Sequence, residues 1–136
     1  MATNANWTVV FEDKMIIKQT GDAAGTPYII NDNTFWNDGK WSNIWAIQYV
    51  AGNEDHNDTV EYKDTTPHTT WTAANLGSFQ DQFITKWEAA HLARLQSDWD
   101  NNDGNTYDEN GNITHEETEA EKIVRLGARP TTYSAS

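Results

Sequence analysis

The hydrophobic period of this chain changes near residue 78, and nothing else in the sequence constrains the fold as tightly. Before that point, short β-prone runs alternate in steps of two. After it, apolar residues recur every three or four positions. A chain patterned this way packs an early sheet against a late helix, which is the α+β class. The expected architecture is an N-terminal antiparallel meander of roughly four or five strands packed by one long amphipathic helix. A C-terminal polar loop or hairpin and a short helix follow.

Trp7–Phe11 and Met15–Lys18, joined by Glu12-Asp13-Lys14, read as a hairpin. Gly21–Gly25 reads as a loop and Tyr28–Ile30 as a third strand. Asp32 or Asn33 is placed to cap a short helical turn carrying Phe35 and Trp36, broken at Gly39. Ile44–Val50 is the strongest strand signal. Strict alternation puts Trp45, Ile47 and Tyr49 on one face and Ile44, Ala46 and Gln48 on the other. After a polar loop from Gly52 to Asn57, Thr59–Lys63 returns as a strand with one wet face, and Thr65–Trp71 reads as a loop.

Ser78, with Asp81 three residues on, resembles a helix cap. From about Phe79 to Ser97, a 100° wheel gathers Phe79, Phe83, Ile84, Trp87, Ala90, His91 and Leu95 on one face. Thr114 with Glu117 predicts the start of the last helix, which would carry Ala120, Ile123 and Val124 inward and stop at Gly127 and Pro130. Residues 1–97 are expected to form a compact sheet-plus-helix part. Residues 98–136 supply an acidic loop, helix and tail, all within a single domain.

Charge narrows the function classes. Nine basic residues face 21 acidic ones, for a net charge of -12. Such a chain lacks the Lys/Arg surface that displaces counterions from nucleic acid, and anionic membranes repel it. No cysteine is present, which excludes disulfides, thiolate metal sites and thiol nucleophiles. No apolar run approaches the roughly 18 residues of a membrane span, and MATNANWTVV lacks the basic start of a signal peptide. The reading is a soluble protein made in the cytoplasm.

Nine of the acids fall within residues 98–121, a stretch with no Lys or Arg. Setting Gly111 at position 6 of a calcium loop places Asp108, Asn110, Asn112 and Glu117 as candidate oxygen ligands, but Thr106 stands where the first Asp belongs. The same Asn110-Gly111 pair suits a type I′ hairpin turn. No cofactor is expected beyond an adventitious calcium ion at this loop. His56, His68, His91 and His115 have no zinc-site spacing; no Gly-x-Ser-x-Gly elbow or phosphate-binding glycine loop is present. With no catalytic motif met, no enzyme is expected. Among the seven tryptophans, Trp45 and Trp87 read as core, whereas Trp41 and Trp71 are the candidate exposed anchors of a protein interface.

The line Phe35-Trp36, Trp41-Ser42-Asn43-Ile44-Trp45-Ala46-Ile47-Gln48-Tyr49 and Val60-Glu61-Tyr62-Lys63-Asp64 resembles small virion- or tail-associated proteins of marine tailed phages, cyanophages included. These pair an Ala-Ile-Gln-Trp and Val-Glu-Tyr hairpin with a Phe-to-Trp helix, matched here by Phe79 to Trp87 with one extra residue. The helix end Ala93–Trp99 is similar to a Ser/Thr-Asp-Trp element of tail-fibre-associated proteins, and the resemblance spans residues 7 to about 130. Its motifs are structural and bring no active site. It implies a non-enzymatic virion or tail-assembly accessory protein that contacts other phage structural proteins or a second copy of itself, without nucleic-acid or membrane partners. Such a protein is made in the host cytoplasm and incorporated in the virion. Two alternatives are an acidic DNA mimic that inhibits a host nuclease or polymerase, and a capsid decoration protein.

Overall fold

A computed structural model describes residues 5–50, 59–70, 76 and 78–134. Among these, the alternating runs form β1 (Trp7–Val10), β2 (Met15–Lys18), β3 (Thr26–Ile29), β4 (Ile44–Tyr49), β5 (Thr59–Tyr62) and β6 (Thr69–Thr70). All pair antiparallel in the order β3-β2-β1-β4-β5-β6. Two three-stranded meanders thus meet where β1 pairs β4. The two-residue edge strand β6 falls within the segment read as a loop. Trp71, His56 and the 52–57 loop lie outside the described residues.

Helices and a separate two-stranded hairpin account for the rest of this α+β fold. Asp32 caps α1 (Asn33–Trp36) by accepting the Phe35 N–H at 3.2 Å. A 3₁₀ turn at Gly39–Trp41 is capped in the same way by Asp38. Phe79 opens a π-helical segment, Gln80–Ile84, that runs into α2 (Thr85–Asp100), and the Ser78 hydroxyl accepts the Asp81 N–H at 3.4 Å. A π turn takes up one residue more than an α turn. Phe79, Phe83, Ile84 and Trp87, which share one face at helical spacing, are all buried. No helix among the described residues is long and apolar enough to cross a membrane.

Chain contacts divide into two compact units, which part within α2. One runs up to Ala90 and includes Ser134; the other is His91–Tyr133. In the first, Trp7, Val9, Ile16, Ile47, Tyr49 and Val60 come from paired positions on one sheet face and are buried. Trp87 meets Trp7 edge-on at 5.3 Å and Tyr28 at 5.4 Å, while Phe79 stacks on Tyr49 at 4.1 Å. The opposite sheet face is polar in part: Gln19 donates to the Thr8 hydroxyl, Thr8 donates to Gln48, and Gln48 donates to Glu61, at 3.0, 2.7 and 3.3 Å.

Two tryptophans exchange the roles that the sequence suggests. A bulge in β4 pairs Ile44 with Tyr62 and Ala46 with Glu61, leaving Trp45 as the extra residue. That one residue reverses the phase of the strand, so Ile44 and Ile47 are buried and Trp45 is 46% exposed. Trp41 is not an exposed anchor: it is 3% exposed. The 3₁₀ turn delivers its ring to Phe11, Phe35 and Phe83 at 5.5, 5.5 and 5.2 Å.

Candidate interaction surface

The His91–Tyr133 unit assembles around polar contacts. Strands β7 (Thr106–Tyr107) and β8 (Ile113–His115) form a hairpin, and α3 (Glu119–Leu126) follows. The last helix does not start at Thr114, which lies within β8. A second signal four residues later, Thr118 with Glu121, makes a full capping box with reciprocal bonds of 3.2 and 3.1 Å. Gly127, at φ 82°, ends α3 where expected.

The acids of this unit work locally. Both Glu117 oxygens accept from Arg125 at 2.8 Å, and the same guanidinium donates to the Asn102 side chain at 2.7 Å. Asp100 takes a two-pronged contact from Arg129 at 2.8 and 3.0 Å. Lys122 donates to the Asp100 carbonyl at 3.2 Å and lies 4.3 Å from the Trp99 ring. Trp99 in turn donates its indole N–H to the Gly127 carbonyl at 3.1 Å.

Some of these bonds use oxygens that the calcium-loop reading assigns to a cation. Glu117, the residue that would offer a bidentate pair of oxygens, gives both to Arg125. Asp108 Oδ1 accepts the N–H groups of Asn110 and Asn112, each at 2.9 Å. Asn110 and Asn112 are therefore turn residues, and no group of three or more acid or His side chains gathers to hold a metal ion among the described residues. The turn is also not type I′, because Gly111 alone has positive φ, 84°, and Asn110 does not. Gly111 N–H closes onto the Asp108 carbonyl at 3.1 Å, as in a type I turn followed by a left-handed glycine.

Five carboxyls are held below their ordinary values of 3.8 for Asp and 4.5 for Glu. The leading cause is Arg129 for Asp100, the Tyr107 hydroxyl for Asp103 and Arg125 for Glu117. Backbone N–H groups dominate for Asp108 (Asn112) and Glu121 (Thr118). A depressed folded-state value stabilises above the unfolded value, and that contribution is lost as pH falls through the folded value. Below about pH 4 the unit is therefore expected to loosen, read as loss of the dispersed Trp99 indole signal in NMR spectra. An unchanged signal through that range would contradict this account.

Gly104 lies against the same network. A Cβ there would collide with the Glu117 carboxylate, which Arg125 holds in place. Gly104→Ala and Arg125→Ala are both expected to speed amide exchange across residues 105–117 several-fold, because charge-assisted forks are the stronger bonds of such a network. Exchange rates equal to wild type would show that the fork does not hold the hairpin.

No family model, curated protein or solved structure matches the chain significantly.

The notable feature of the surface is the orientation of α3. The polar side, with Lys122 and Arg125, is bonded within its own unit, whereas no residue of the apolar side is buried. Ala120, Ile123 and Val124 are exposed, Val124 at 87%, instead of packing inward as the sequence suggests, and Leu126 on the other side is exposed as well. The cross-strand pair Tyr107 and Ile113 is exposed too. A second aromatic surface sits in the sheet unit, where Glu12, Trp45, Tyr62 and Lys63 line an open hollow of about 450 Å³. Sequence reading missed both. The signal for the first was present in the Lys122/Arg125 spacing, which matches a helix side that faces acids.

Proposed function

We propose that this chain is a non-enzymatic accessory protein of a tailed-phage virion, acting in tail or tail-fibre assembly through protein–protein contacts. The observation that carries the contact role is α3, a helix that turns its charged side to its own fold and its apolar side outward. Uncovered apolar patches on otherwise polar chains mark interaction sites. The phage setting comes from the resemblance of the Phe35–Asp64 line to virion- and tail-associated proteins. The DNA-mimic alternative gains little support, since Asp100, Asp103, Asp108, Glu117 and Glu121 are engaged in the unit's own hydrogen bonds.

Mass spectrometry of purified particles of the encoding phage, with tails and heads analysed separately, tests the reading. The expected result is detection in tails or tail-assembly intermediates. Detection in heads alone would make it a capsid decoration protein, and absence from all fractions would sink the virion role.

A further inference from the structure

We infer that the exposed side of α3 docks a basic amphipathic helix of another protein. The inference deepens the contact role above and rests on it. On a 100° wheel, Lys122, Arg125 and Leu126 point to one side of α3, and Ala120 and Val124 to the other, with Ile123 beside them. The first side is fixed by the Asp100 carbonyl, Glu117 and Asn102. The helix therefore cannot turn its apolar residues inward without breaking those bonds. Val124 contributes almost nothing to the fold it belongs to.

Charge decides what covers it. Lys122, Arg125 and Arg129 are held by contacts inside the unit, and Arg94 lies 3.9 Å from Asp98. Glu109, Glu116 and Glu119, by contrast, make no ion pair among the described residues. Glu119 is one helical turn before Ile123, and Glu116 lies just ahead of the capping box. The exposed apolar side thus has an acid without an ion pair, Glu119, next to it on the same helix. A second copy would bring Glu against Glu on a chain already at -12, and an anionic bilayer is repelled in the same way. Leu- or Val-rich residues flanked by Lys or Arg satisfy both the apolar side and that acid, in the manner of a helix laid along an apolar surface.

The test uses the isotope-labelled full chain and three synthetic helical peptides of equal length. One has a Leu side and a Lys side, the second replaces Lys by Glu, and the third replaces Leu by Ser. The Leu/Lys peptide is expected to shift the amide signals of Glu119–Leu126 and to bind ~10-fold or more tightly than either control. Val124→Asp and Glu119→Lys should each weaken that binding while leaving the thermal midpoint unchanged. Equal binding of the Glu or Ser peptide, or shifts centred elsewhere, overturns the inference. A dimer that Val124→Asp disperses overturns it too, by assigning the surface to a second copy. Binding by a chain absent from virions removes the phage setting alone; virion presence without binding removes the docking chemistry alone.

Discussion

Trp87→Ala is expected to remove roughly 3–5 kcal/mol from the sheet unit, the cost of a large aromatic-to-alanine change in a sealed core. The side chain is fully buried among Trp7 and Tyr28, and its indole N–H donates to the Thr26 carbonyl at 3.0 Å. Removal leaves a cavity between helix and sheet, takes the indole donor from the Thr26 carbonyl on β3, and deprives the Lys18 ammonium of the ring 5.9 Å away. Lys18 is itself buried opposite Trp7 and keeps the Asp22 carbonyl at 2.6 Å, so its position also depends on this corner. For a domain with typical stability of about 5–15 kcal/mol, such a loss is a large share. A urea midpoint close to wild type would contradict the packing described.

Trp41→Ala carries the second largest effect, again about 3–5 kcal/mol. An exposed interface anchor at this position would leave folding untouched. A ring packed on Phe11, Phe35 and Phe83 cannot be removed without a void, because these aromatics also pack on one another, as Phe35 does on Phe83 at 5.5 Å. The expected outcome is a lowered midpoint with reduced near-ultraviolet circular dichroism. Retention of the wild-type midpoint would return Trp41 to the surface.

Local pattern carried much of the fold. The hairpin around Glu12-Asp13-Lys14, the caps at Asp32 and Ser78 and the buried stripe Phe79–Trp87 all follow from residue type and spacing. Three of the departures have separate physical origins. At Trp45 one unpaired residue reverses the strand's alternation, and period counting does not register an insertion. At Thr114 and Thr118 two capping signals compete, and strand pairing to β7 claims the first. At α3 the wheel gives the polar and apolar sides correctly but not which one faces home. That choice is made by Asp100 and Glu117, whose bonds to Lys122 and Arg125 are non-local.

The candidate surface was legible only in part for the same reason. The acidic run reads as a polar loop, yet Asn105 accepts the Glu117 N–H at 2.7 Å and Thr114 donates to the Thr106 carbonyl at 3.2 Å. Ordering the acids onto local donors leaves the hydrophobic residues on the outside, an inversion that composition cannot reveal.

The most direct test of this account is photo-crosslinking from position 124 in infected cells, with p-benzoylphenylalanine in place of the valine and the adducts identified by mass spectrometry. The account predicts an adduct with one phage tail or fibre protein, formed through a Lys- or Arg-flanked apolar segment. Adducts with the chain's own copies alone, or none above the background from an exposed polar position such as Asn101, would contradict it.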